Sequence, residues 1–299
     1  MWGMNKSIKN SGIITSNKTA FSKKALGAFA FVFSLVFSLL LISPMLTKAS
    51  FAKETSPKVD TTKVVSTLAS VAYTALPKVS FHGEPNTVVL DPGHSPKRPG
   101  ATSCSGVAEH VYNSTLTSAV AKYLKIRGFI VSVTRSPDGE ATPGQRAKHA
   151  TGKNLLLSIH HDSVQPQFLH YTNGNPCSYK AQGFSIFVSS KNAHFKVSLE
   201  AARVLGQSLR NSGLEPSVHH AENIPGENRQ VLDKDLGIYL LDDLLVLKQA
   251  ESPAILLEAG VIVNPVDDAR VKTKEFHTKV AKAVAATVRY VATTFHVEE

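Results

Sequence analysis

From Asn86 onward, short and almost unbroken apolar runs alternate with longer stretches whose apolar residues recur every three to four positions. The short runs, at 87–90, 129–134, 154–159, 184–188 and 254–257, are rich in β-branched and large apolar residues. They read as continuous rather than alternating, which is the pattern of strands covered on both faces. The longer stretches, at 109–127, 194–211, 238–249 and 267–294, predict helices, the first closed by Gly128 as a C-terminal cap. Strands interleaved with helices predict an α/β fold: a single three-layer domain with a mostly parallel or mixed central sheet flanked by helices. Neither an internal repeat nor a low-complexity tract interrupts it.

The pattern before Asn86 is different. Lys23 and Lys24 precede an uncharged apolar stretch at 25–42, followed by Pro44 and the small residues Ala49, Ser50 and Ala52. This is the order of a secretory signal, with cleavage after Ala52 favoured and cleavage after Ala49 as the alternative. At about 18 residues the stretch is at the lower limit for crossing a bilayer, so an uncleaved membrane anchor is the other reading. Both place the body of the protein outside the cytoplasm, in the periplasm, cell wall or extracellular space. Residues 1–52 are therefore expected to be signal or anchor, 53–83 a linker with a short apolar patch, and 84–296 the catalytic domain.

Charge adds little beyond this. Of the formal +10, six units come from Lys6, Lys9, Lys18, Lys23, Lys24 and Lys48 in a leader without acids, leaving 10 − 6 = +4 for the rest. That remainder suits an anionic wall and is too small to indicate nucleic acid, for which no motif is present. The chain has two cysteines, Cys104 and Cys177, and an even pair in an oxidising compartment predicts a disulfide.

Chemistry-bearing residues collect where the predicted strands end, which is where open α/β sheets hold their ligands. His94 follows the first strand through Asp91-Pro92-Gly93, His160 follows the third, and Glu109 opens a helix after a loop rich in Gly, Ser and Pro. Two imidazoles and a carboxylate around an open position form the ligand set of a catalytic zinc. Glu258 follows the last strand and would emerge at the same edge, placed to carry a proton. Taken singly, each has a plainer explanation: a turn histidine, a helix-start carboxylate, a structural acid. Their joint placement at four element ends favours the site.

The runs Val-Val-Leu-Asp91-Pro92-Gly93-His94, Gly106-Val-Ala-Glu109-His-Val-Tyr-Asn113, Val133-Thr134-Arg135, Ser158-Ile159-His160 and Pro253-Ala-Ile-Leu-Leu-Glu258-Ala-Gly260, followed by Asn264-Pro265, resemble the zinc-dependent N-acetylmuramoyl-L-alanine amidases, the type 3 amidase domain. The likeness runs in order from about Asn86 to Tyr290. It implies a peptidoglycan hydrolase that cuts between N-acetylmuramic acid and L-alanine, with Zn2+ on His94, Glu109 and His160 and with Glu258 as acid/base. It names no activator protein for this chain. Another zinc amidohydrolase or carboxypeptidase on wall peptides, or a wall-binding protein without catalysis, are the alternatives. Where the family commonly has Ala-Asn after Ser-Ile-His, this chain has His161-Asp162. Strand alternation lets only one of His160 and His161 face the metal. Motif register selects His160, leaving His161 as a supporting or substrate contact and Asp162 to orient an imidazole or close a turn. Segment 165–182 is expected to wall the cleft, and 215–237 to be a second active-site loop in which Arg229 meets peptide carboxylates while His219 and His220 are solvated. Arg135 and Arg146 read as structural partners of nearby acids.

Overall fold

The computed structural model describes residues 86–295; the expected signal or anchor and linker lie outside the described residues. Along the chain, β1 (Thr87–Pro92) leads to α1 (Glu109–Lys125), β2 (Ile130–Val133), the short α2 (Pro143–Lys148) and β3 (Leu155–Asp162). The hairpin β4 (His170–Thr172) and β5 (Asn175–Cys177) precedes β6 (Ser185–Val188), α3 (Phe195–Asn211), β7 (Val231–Asp233), β8 (Ile238–Leu240) and α4 (Leu245–Gln249). Then come β9 (Ala254–Val261), α5 (Pro265–Val271) and α6 (Lys274–Thr294). Seven strands form one sheet in the order β2-β1-β3-β9-β6-β8-β7. It is parallel from β2 to β9, with β6 antiparallel to β9 and β7 antiparallel to β8, so the expected mixed sheet is observed.

The period of two along the strands separates the two cores. Leu155, Leu157 and Ile159 pack with Val88, Leu90, Ile255 and Leu257 against Leu116, Val120, Leu205, Val284 and Val288 of α1, α3 and α6. Val89, Leu156, Phe187, Tyr239 and Leu256 face the other way, onto Ala150 and onto Val246 and Leu247 of α4. Helices cover both faces, which is why the strands read as unbroken apolar runs.

Two predicted helices are corrected. Residues 238–249 do not form one helix: Ile238–Leu240 is a strand paired with both β6 and β7, and only Leu245–Gln249 is helical. Alternate burial by the sheet outweighs the run's helical spacing. The predicted helix 267–294 is two helices, because Thr273 adopts an extended backbone and its side chain accepts from Phe276 N, starting α6 afresh. Segment 165–182 folds as the β4–β5 hairpin, and Cys177 on it is disulfide-bonded to Cys104 in the loop before α1. Among the described residues, no helix is long and apolar enough to cross a membrane.

Candidate metal centre

The site begins with a buried acid. Asp91 is fully buried at the end of β1 and accepts two bonds from Arg146 (Nε 2.7 Å, Nη2 2.6 Å), one from Ser158 Oγ (2.7 Å) and one from Thr134 Oγ1 (2.5 Å). This ties β1 to β3, to the end of β2 and to α2 before the chain turns out of the sheet. Gly93 N donates to Ile159 O (2.8 Å), while Gly93 O accepts from Asn113 Nδ2 (3.1 Å) and Arg135 Nη2 (3.1 Å). Arg146 thus pairs with an acid, whereas Arg135 binds backbone carbonyls. His94 takes the left-handed backbone conformation (φ 58°) that swings its ring back over the sheet edge.

Glu109, the first residue of α1, sits between two imidazoles. Its Oε2 is 3.0 Å from His94 Nε2 and its Oε1 3.2 Å from His160 Nδ1. Ala101 N (3.1 Å) and Asn113 Nδ2 (3.0 Å) donate to the same carboxylate and fix its rotamer. Burial by itself would raise the Glu109 carboxyl, but the bonds and charges of His160 and His94 outweigh it and hold the group well below the usual carboxylate range. Two glycines leave the space. A Cβ on Gly93 would lie 2.3 Å from the His160 ring, and one on Gly100 (φ 76°) 2.3 Å from Glu109 Oε2.

Ligand atoms of His94, Glu109 and His160 lie within 4.8 Å of one another. His160 Nε2 is buried and has no hydrogen-bond partner among the described residues. A buried carboxylate set between two imidazole nitrogens fits a divalent zinc-like ion, for which imidazole and carboxylate are suitable donors. Glu258 is the direct partner of His160 across the parallel β3–β9 ladder. Burial first, then the charges of Asp162 and Glu109, push its carboxyl well above its ordinary value. Its Oε2 is also without a partner among the described residues.

The neighbours depart from expectation. His161 is 1% exposed and points to the opposite side of the sheet, with Nδ1 2.8 Å from Asn113 Oδ1 and its ring beside Tyr112. It is too deeply buried to touch substrate; instead it orders the residue that orders Glu109. Burial pushes it down to about 3, so the ring is neutral. Asp162 faces the cleft and does orient imidazoles: its Oδ2 is 2.7 Å from His220 Nε2 and 3.3 Å from His219 Nε2. These two histidines are not solvated loop residues but 5% and 8% exposed. Burial alone would lower His220, yet Asp162 and Glu227 outweigh it and push it up to about 9. A cleft of about 290 Å³ opens beside them, lined by Asp162, Gln165, Phe187, His220, Arg229 and Glu258 among others. Of segment 165–182 only Gln165 lines this cleft, whereas 215–237 supplies one side of it through His220, Gly226, Glu227 and Arg229.

A family model described as N-acetylmuramoyl-L-alanine amidase matches residues 88–290, spanning every element from β1 to most of α6. The chain belongs to this amidase family. Among the amidase's relatives is the N-acetylmuramoyl-L-alanine amidase AmiA of Escherichia coli K12, 27% identical over 70% of this chain and 77% of AmiA. The probable cell wall amidase LytH of Staphylococcus saprophyticus is 29% identical over 68% of this chain. The match covers 57% of LytH, so the chain spans little more than half of that relative's length. The amidase fold recurs in the crystal structure of Ami1 from Mycobacterium smegmatis (TM-score 0.55, 23% identity, 72% of this chain and 99% of that one). It recurs also in the catalytic domain of CwlV from Paenibacillus polymyxa (TM-score 0.52, 24% identity, 68% and 96%).

Proposed function

We propose that this amidase hydrolyses the bond between N-acetylmuramic acid and L-alanine in peptidoglycan, using zinc held by His94, Glu109 and His160. The observation that carries this reading is the convergence of those three side chains within 4.8 Å, with Glu258 in register beside His160. When bound, zinc polarises the scissile carbonyl and makes water nucleophilic near neutral pH. Glu258 takes the proton from the attacking water and returns it to the departing L-alanine nitrogen; burial, which raises its carboxyl above the ordinary value, makes its carboxylate a stronger base for that transfer. Asn113 and the Ala101 amide keep Glu109 aimed at the two imidazoles. Arg229, which lines the cleft with Glu258, offers a cation to the stem-peptide carboxylates.

The body of the enzyme, 84–296, works outside the cytoplasm. Residues 1–52 act as its signal or anchor and 53–83 as its tether, in keeping with its likeness to cell wall amidases. The test is digestion of purified wall sacculi before and after chelation. New L-alanine amino groups and free muramoyl lactyl groups, lost on chelation and restored by zinc, support the reading. Release of terminal D-alanine instead would identify a carboxypeptidase, and undiminished activity without metal would reject the zinc site.

A further inference from the structure

We propose that the chain holds a second divalent transition-metal ion, on Asp162, His219 and His220, separate from the His94–Glu109–His160 centre. This goes beyond the amidase reading, which needs one ion. One carboxylate oxygen and two ring nitrogens of these residues lie within 4.8 Å of one another, as tightly grouped as the first set. The separations, 2.7 and 3.3 Å about Asp162 Oδ2, match the 3.0 and 3.2 Å about Glu109. Ligand bonds of about 2.0–2.2 Å need donors only slightly further apart than this.

The outer nitrogens are already committed. His219 Nδ1 is 2.8 Å from Ser217 Oγ, and His220 Nδ1 2.8 Å from Glu227 Oε2, whose other oxygen, Oε1, accepts from Gln165 Nε2 at 2.9 Å. A partner on Nδ1 directs Nε2 inward and raises its donor strength, which is how metal-binding histidines are supported. Both Nε2 atoms then converge on a single carboxylate oxygen. His219 Nε2, on a side chain 5% exposed, faces only this oxygen, at 3.3 Å and without good hydrogen-bond geometry, while His220 Nε2 already holds it at 2.7 Å. A buried nitrogen so poorly satisfied is costly, and an ion between the three donors would satisfy it. Two imidazoles and one carboxylate select zinc or a chemically similar ion over magnesium or calcium. Asp162 and His220 line the open cleft, giving the ion a path in and leaving positions for water. Because Asp162 ends β3 while both histidines lie in the 3-10 turn His219–Ala221, the ion fastens loop 215–237 to the sheet edge.

The experiment counts ions. Chelator-stripped full-length protein is titrated with Co2+, read by visible absorption, and with Zn2+, read by calorimetry; two equivalents are expected. Asp162→Asn and, separately, His220→Gln should each remove one equivalent or weaken it at least about tenfold. His94→Ala should remove the other, and the Asp162→Asn/His94→Ala double variant both. A single equivalent in the parent protein that survives Asp162→Asn and His220→Gln overturns the second site, as does a second equivalent indifferent to both changes. A single equivalent lost in Asp162→Asn but kept in His94→Ala retains this site and rejects the proposed catalytic one. His219→Asn, which keeps a polar side chain, is the reserve variant if either change unfolds the protein.

Discussion

Glu258 lies directly across the parallel β3–β9 ladder from His160, and both side chains leave the same face of the sheet. Parallel strands hold such partners in a fixed relation, so the carboxyl cannot drift from the imidazole without breaking the ladder. Immediately afterwards β9 bulges: His160 pairs with Glu258, but Asp162 pairs with Val261, three residues on rather than two. The bulge ends regular pairing just past the acid.

Replacing Glu258 by Gln preserves its size and removes its proton chemistry. The expected result is a fall in kcat of about 10²- to 10⁴-fold on wall substrate, with zinc affinity changed little. Activity assays and metal titration of the same preparation check this. A variant within tenfold of the parent would remove Glu258 from the reaction.

Gly93 tests how closely the first centre is packed. Its φ is not in the left-handed range, so the constraint is space: a Cβ would meet Cε1, Nε2 and Cδ2 of His160 at 2.3–2.5 Å. Gly93→Ala must displace that ring. Zinc affinity should fall at least tenfold, while overpacking costs about 1–3 kcal/mol of stability. Calorimetric zinc titration and urea unfolding separate the two effects. Unchanged affinity would mean that His160 is not a ligand.

How much of this the chain announces depends on how local the information is. The position of Glu258 on β9 is legible because 254–257 is an unbroken apolar run and the acid is the first charged residue after it, although the strand itself continues to Val261. Alternation along β3 is equally local, and it puts His160 and His161 on opposite sides as strand geometry requires. The break between α5 and α6 is hidden because the apolar spacing runs on through Thr273 and only its capping bond marks the boundary. Residues 238–240 mislead for a related reason: the partners that make them a strand are β6 and β7, not their neighbours in the chain. His219 and His220 are the furthest from legible. Nothing nearby distinguishes them from loop histidines, since the carboxylate that gathers them is Asp162, 58 residues earlier in the case of His220.

The Cys104–Cys177 bond closes a sequence separation of 73 residues and ties the loop preceding α1 to the β4–β5 hairpin. Constraining a loop of that length in the unfolded chain contributes about 4 kcal/mol on the chain-entropy account. The Cys104→Ser/Cys177→Ser double variant should therefore unfold about 10 °C lower. Scanning calorimetry with and without reductant checks it; identical melting of the parent under both conditions would show that the bond is not formed or does not stabilise the fold.

In metal-free protein the Asp162–His220–Glu227 chain of bonds makes stability depend on pH with a definite sign. His220 rises from an ordinary 6.5 to about 9 in the fold, so its contribution is complete below pH 6.5, shrinks as pH climbs and is gone once pH passes about 9. Asp162 and Glu227 are held below their ordinary values of 3.8 and 4.5 by the facing imidazoles, against the opposing effect of burial, so their contribution is lost only as acid protonates them. The network is thus strongest between roughly pH 4.5 and 6.5. Against His220→Gln, which cannot carry charge, the parent should be more stable by about 3 kcal/mol near pH 6, with the gap closing toward pH 10. Urea unfolding in chelator across that range measures it. A gap that stays constant, or widens with rising pH, would show that no imidazolium is held between Asp162 and Glu227.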